Sequence, residues 1–255
     1  MKLTRFAVLT RVACIGIAAV FSSASAHSQS IEAFQWISEE YAPYNFSENG
    51  IPRGIAVDVL THIWERIGLE RKVTDIQILP WARGYRMAQE QPGTCLFSMT
   101  VTEPRRELFA FAEPLIESSV SIVAARSSGL EISSIDDLAS LTIGVVREDI
   151  GEQSLLADGA QATISRADSA RSLVRMLTAG RFDAIAYGMD TALWNMQQEG
   201  IDSSAYESVF TLREGVMGYA CHKDTDPAIM EQLQQALDAL VADGTVARIR
   251  AEYLR

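Results

Sequence analysis

Cysteine and histidine are scarce in this 255-residue chain, with three of each. It has no Cys-x-x-Cys pair and no His-Glu-x-x-His run. It also lacks a glycine-rich phosphate loop and a Gly-x-Ser-x-Gly elbow. These absences leave no motif for a resident metal or a nucleotide cofactor, so no metal site, cofactor or catalytic residue is assigned. No Ser/His/Asp set is visible from spacing. Positive charge is also in short supply, with 22 Lys and Arg against 33 Asp and Glu, for a net charge of −11. An acidic surface of this kind argues against nucleic acid and anionic lipid as partners. Any anion site must therefore be local and built from a few arginines. There is no internal repeat, and the apolar run at residues 12–21 is shorter than the ~20 residues that a membrane span needs.

That short run has a specific setting. Lys2, Arg5 and Arg11 precede it, and Ala24-Ser25-Ala26 follows it. This is the pattern of a secretory signal peptide over residues 1–26, cut after Ala26. The cut removes three positive charges and no negative ones, taking the net charge from −11 to −14. The remainder is long enough for one large domain or two lobes with separate cores. Two cysteines remain, Cys95 and Cys221. An oxidising compartment permits a disulfide between them, and two reduced, buried thiols are the alternative.

The most informative stretch is Cys95-Leu96-Phe97-Ser98-Met99-Thr100-Val101-Thr102-Glu103-Pro104-Arg105-Arg106. Its first five residues are mostly bulky and apolar, as in a central strand. Hydroxyls follow at Ser98, Thr100 and Thr102, and Pro104 stops the strand. Hydroxyls at a strand's carboxyl end with a guanidinium just beyond make a site for an anion, most often a carboxylate. The plainer reading is that Arg105 and Arg106 are surface charges.

The run Ser98-Met99-Thr100-Val101-Thr102-x-x-Arg105, followed by Phe111-Ala112-Glu113-Pro114-Leu115, resembles the signature of the family 3 extracellular solute-binding proteins. The resemblance implies an α/β fold of two lobes (type II periplasmic-binding-protein-like). Each lobe is a mostly parallel sheet flanked by helices, and two crossovers join them. On that reading residues 27–117 begin lobe 1, residues 118–212 form lobe 2, and residues 213–255 return to lobe 1. The crossovers lie near residues 116–119 and 211–215. Arg105 is implied to bind a ligand carboxylate.

The rest of the chain adds candidates in order. A strand at residues 34–37 leads into a loop carrying Tyr41 and Tyr44, flat apolar faces with polar tips. These tyrosines either cover a ligand or pack the loop. Val59, Ile63 and Ile67 recur every four residues, one stripe of a helix closed by Gly68. A strand at residues 73–79 ends in Pro80-Trp81-Ala82-Arg83, an indole and a guanidinium within one turn. Trp81 is the candidate stacking wall, or a core tryptophan, with Arg83 second. Residues 118–124 enter another strand, and residues 216–222 form a returning one.

Two positions depart from the family's amino-acid binders. Where those have a Gly-Thr or Gly-Ser pair that receives the ligand's carboxylate, this chain has Glu148-Asp149. Asp149 can cap the following helix, or it can favour a cationic group. Where the family's ammonium-binding aspartate falls, this chain has Gly188, with Asp190 two residues on.

The sequence is thus read as a periplasmic, monomeric solute-binding protein of an ABC importer. It would take an amino acid or related small carboxylate and deliver it to inner-membrane permease subunits. The candidate ligand-binding residues are Arg105, Trp81, Thr100, Tyr41, Asp149, Asp190, Tyr44, Ser98 and Arg83. Alternatives on the same scaffold are an enzyme resembling the cyclohexadienyl dehydratases, with Asp149 or Glu148 as general acid, and a ligand carrier for a membrane sensor.

Overall fold

The computed structural model describes residues 30–253; the expected signal peptide lies outside them. In chain order the elements are β1 (Gln35–Ser38), β2 (Phe46–Glu48), β3 (Ile51–Arg53), α1 (Ile55–Arg66), β4 (Ile76–Ile78), α2 (Trp81–Glu90), β5 (Thr94–Thr100), α3 (Glu103–Arg106) and β6 (Phe109–Ala125). Then come β7 (Thr142–Val146), α4 (Ile150–Ala157), β8 (Thr163–Ala167), α5 (Ala170–Thr178), β9 (Ala184–Gly188), α6 (Met189–Gln198), β10 (Tyr206–His222), α7 (Pro227–Ala242) and α8 (Thr245–Tyr253).

One eight-stranded sheet organises the molecule, in the order β4-β1-β5-β10-β6-β9-β7-β8. Its outer strands pair in parallel on each side, while β6 and β10 run antiparallel through the middle. The sequence reading breaks β6 at residues 116–119 and begins β10 at Val216. Instead each is a 17-residue strand. Pairing with the partner carries both strands across the polar stretch, through Glu117↔Val216, Ser118↔Gly215 and Ser119↔Glu214. The crossovers are therefore a shared two-stranded ribbon.

The larger apolar cluster runs along the sheet from Trp36 and Leu96 to Leu173, Val174, Ile185 and Tyr187. On the β1–β5 side, Trp36, Ile37, Leu96 and Phe97 meet the α1 stripe of Leu60, Ile63 and Trp64, all buried. Trp36 and Trp64 touch edge to face at 5.6 Å. At the other end Ile122, Ile143, Val145, Leu155 and Ala186 form a second cluster. Caps follow the sequence signals. Asp226 Oδ1 accepts from the Ala228 N–H at 2.9 Å ahead of Pro227, and Ser169 Oγ accepts from Ser172 N–H at 3.2 Å.

The strand expected over residues 73–79 shrinks to Ile76–Ile78. Asp75 accepts the Lys72 N–H at 3.0 Å, holding residues 73–75 in a 3₁₀ turn. Gly54 opens α1 at φ 122°, where a Cβ would lie 2.5 Å from the Tyr44 carbonyl oxygen. Only glycine lets the helix start so close to the Tyr41–Tyr44 loop.

Cys95 and Cys221 are register partners on β5 and β10 and form a disulfide, which decides between the two alternatives. The bond closes a sequence separation of 126 residues. The chain is expected to weigh two hydrogen masses less before reduction than after it. Replacing both cysteines by serine is expected to lower stability by about 2–5 kcal/mol. Identical masses with and without reductant would exclude the bond.

Candidate functional site

Five turns at the carboxyl ends of parallel strands converge beside the central ribbon, where open α/β sheets place their sites. From the first half come the loop after β1, the start of α2 after β4, and the end of β5 with α3. From the second come the β7–α4 turn and the β9–α6 junction.

Arg105 is the centre. Thr102 Oγ1 caps the short α3, accepting the Arg105 N–H at 3.4 Å. The side chain is only 1% exposed. Its Nη1 donates to the Thr100 carbonyl at 2.9 Å, and its Nε donates to Gln153 Oε1 on α4 at 3.2 Å. The guanidinium carbon lies 5.4 Å from the Trp81 ring and 5.6 Å from the Tyr85 ring, within cation–π range. Nη2 is buried and has no hydrogen-bond partner. Burial pulls the Arg105 pKa down, and the nearby Asp149 carboxyl opposes that pull.

Opposite Arg105, the β7–α4 turn passes through Glu148 in the left-handed region at φ 60°, a conformation costing about 1–3 kcal/mol for a side-chain-bearing residue. Three bonds hold it. Glu148 N–H donates to Glu152 Oε2 at 2.7 Å. The Glu148 carbonyl accepts from Gln153 Nε2 at 2.9 Å and from the Trp81 indole N–H at 3.0 Å. The next residue, Asp149, holds the N-cap position without the usual side-chain cap bond, and its carboxyl is buried within electrostatic reach of Arg105 and the Ile150 N–H. Burial raises its pKa, and Arg105 pulls it back.

The loop after β1 completes the cluster. Tyr41 stacks on Tyr44 at 5.4 Å and meets Tyr187, at the end of β9, edge-on at 5.5 Å. Tyr44 donates its hydroxyl proton to Asp190 Oδ2 at 3.3 Å, a bond between the halves. Burial pushes the Tyr44 pKa up, with Asp190 adding to it. Glu39 is buried in the same loop, its backbone carbonyl held by Asn45 Nδ2 at 2.8 Å. Burial drives the Glu39 pKa well above the glutamate range; Asp149 adds to the shift and Arg105 opposes it.

Of the nine candidates, Arg105, Trp81, Tyr41, Tyr44 and Asp149 come together. Ser98 lies at a bulge: β10 pairs Tyr219 with Phe97 and Gly218 with Met99, so Ser98, at φ 61°, is left out of the ladder with its Oγ buried and unpartnered. Thr100 contributes its carbonyl to Arg105, where a hydroxyl contact with ligand was expected. Asp190 is exposed and occupied by Tyr44. Arg83 is exposed and stands apart, since the α2 face buried here is Trp81, Gly84, Tyr85 and Ala88.

Glu39, Tyr85, Gln153 and Tyr187 escaped the sequence reading. Glu39 and Tyr187 sit just past or at the carboxyl ends of β1 and β9, where open α/β sheets place their sites, but that position alone does not separate Glu39 from Glu40 or Tyr187 from its strand neighbours. Two cavities flank the packed centre. One of about 530 Å³ borders Tyr41, Tyr44, Ser118, Gly188, Asp190 and Glu214. The other, of about 330 Å³, borders Tyr85, Arg105, Gln153 and Arg213.

A large α/β sheet flanked by helices and crossed by two long antiparallel strands is the architecture of periplasmic-binding-protein-like folds. The profile of the bacterial extracellular solute-binding proteins, family 3, matches residues 36–255. The chain belongs to that family. Among solved structures it is similar to a histidine kinase sensor domain with similarity to periplasmic binding proteins (20% identity, TM-score 0.77, covering 87% of this chain and 96% of that one). It is also similar to a variant of the arginine-binding protein ArgBP from T. maritima (21%, TM-score 0.74, 87% and 95%). A third is an ancestral amino acid-binding protein, a precursor of cyclohexadienyl dehydratase (18%, TM-score 0.71, 87% and 95%). A search of curated proteins finds no match.

Two predictions follow from the packing. A Cβ at Gly188 would lie 2.6 Å from the Tyr41 hydroxyl oxygen. Gly188→Ala is expected to destabilise the fold by about 1–3 kcal/mol, with Tyr41→Phe relieving part of the loss. Additive effects in chemical denaturation would contradict the contact. Because folding raises the Glu39 pKa, its contribution is fully present below the ordinary glutamate range and is lost as pH rises through the raised folded value. Glu39→Gln, which cannot ionise, is expected to flatten the fall of melting temperature as pH rises above the ordinary glutamate range. Parallel profiles for variant and parent would exclude it.

Proposed function

We propose that the protein is the solute-capturing component of an uptake system in the periplasm, most simply an ABC importer. It takes an amino acid or related small carboxylate between two lobes. Residues 30–117 and 213–253 act as one lobe and residues 118–212 as the other, moving about the β6–β10 ribbon. The observation that carries this reading is Arg105. It is anchored to its own half at Thr100 and reaches Gln153 in the other half, with Nη2 still to be paired. A guanidinium so placed can grip a carboxylate and report closure at once. Trp81→Glu148 and Tyr44→Asp190 bonds form only when the halves meet, so a solute that bridges them shifts the open–closed balance.

The sensor-domain relative favours a second reading, in which the closed form is presented to a membrane kinase. The ligand step is the same in both, so the same binding experiment serves. In a thermal-shift screen over amino acids, amines and small organic acids, at least one carboxylate-bearing compound is expected to stabilise the protein. Arg105→Ala is expected to lose about 2–5 kcal/mol of its binding while circular dichroism stays native. Undiminished affinity in that variant would remove Arg105 from the site. Prephenate and arogenate are expected to pass through unchanged; their turnover would replace capture with catalysis.

A further inference from the structure

This inference rests on the capture reading and concerns the chemical class of the solute. The smaller cavity, of about 330 Å³, lies where the end of β5 with α3, the helix α4 and Arg213 on β10 meet. Both halves and the ribbon thus contribute walls, and the volume is that of a small-molecule pocket.

Two guanidiniums border this cavity and, among the described residues, no carboxyl does. Arg105 brings Nη2, buried and without a hydrogen-bond partner. Arg213 is held toward α4. Its Nε donates to Ser154 Oγ at 3.1 Å, and its Nη2 stands 3.8 Å from Asp158 Oδ1, outside hydrogen-bond range. In a chain of net charge −11, two arginines on an acid-free wall concentrate positive potential at one place. Leu108, Ile150 and Ala157 make other parts of the wall apolar.

Three side-chain oxygens on the wall already hold arginine or backbone protons. Thr102 Oγ1 accepts the Arg105 backbone N–H, Gln153 Oε1 accepts from Arg105 Nε, and Ser154 Oγ accepts from Arg213 Nε. An α-amino acid seated here would bury its ammonium with no acid on the wall to receive it, an expensive transfer. A carboxylate meets the reverse situation, with charged donors for its oxygens and apolar surface for its carbon chain.

We propose that the solute is a compact apolar carboxylate without an amino group, held in this cavity by Nη2 of Arg105 with Arg213 as the second cation, its hydrocarbon part lying against Leu108 and Ile150. Arg213 is then the residue that sets the preference for an acid over the corresponding amino acid.

Matched ligands test this on the intact chain. Calorimetric titrations would compare leucine with 4-methylpentanoate and phenylalanine with 3-phenylpropanoate, each pair differing in the amino group. The expected result is that at least one of the two acids binds about tenfold or more tightly than its amino acid, and that Arg213→Gln erases about tenfold of that affinity. Leu108→Asp, at an exposed position, places a carboxyl on the wall and is expected to weaken the same acid; it serves as the second variant should Arg213→Gln fail to fold. An amino acid matching or exceeding its deaminated partner, or acid binding indifferent to Arg213→Gln, would overturn the inference. If that binding were still lost in Arg105→Ala, the capture reading would survive alone. Failure of all four compounds would also overturn the inference, and the wider thermal-shift screen would then decide capture separately.

Discussion

The burial of one guanidinium between two halves of a sheet is the constraint on which the site depends. An arginine that is 1% exposed must be compensated by its surroundings, and here Nη2 is still left unpaired. The compensation comes from both halves: the Thr100 carbonyl, Trp81 and Tyr85 on one side, Gln153 and Asp149 on the other. The second half exists, in effect, to finish solvating a charge that the first half presents. This couples local chemistry to global shape, because separating the halves strips Arg105 of half its partners and returns it to water.

The central ribbon makes such coupling mechanically simple. β6 and β10 stay paired from Tyr206↔Ala125 to His222↔Phe109, so the halves cannot drift apart. Register irregularities in that pairing, between Thr211 and Arg213 and between Met217 and Tyr219, fall on either side of the crossing. Bulges of this kind concentrate twist and are where a bend costs least. The disulfide between β5 and β10 fixes the ribbon to the first half.

Most of the fold was legible in the sequence for local reasons. The apolar stripe of α1, the caps at Ser169 and Asp226, and the hydroxyl-rich end of β5 are short-range patterns read off neighbouring residues. The errors share a physical cause. β6 and β10 look interrupted because the residues at the crossing are polar, and only cross-strand pairing overrides that signal. Asp149 reads first as a cap because Arg105, which its carboxyl also reaches electrostatically, is 44 positions away in the chain. Glu39 sits in view beside Glu40, yet nothing local says which of two adjacent glutamates turns inward. Tyr187 reads as an ordinary strand residue until Tyr41 is placed against it. The arginine was therefore readable from one strand, whereas the acids that oppose it required the tertiary structure.

The most direct test of the central claim is hydrogen–deuterium exchange with and without a saturating solute. The account predicts that residues 97–105 and residues 147–153, which lie on opposite halves and share Arg105, become protected together at the same solute concentration. Protection confined to one segment, or solute binding that leaves both unchanged, would contradict it.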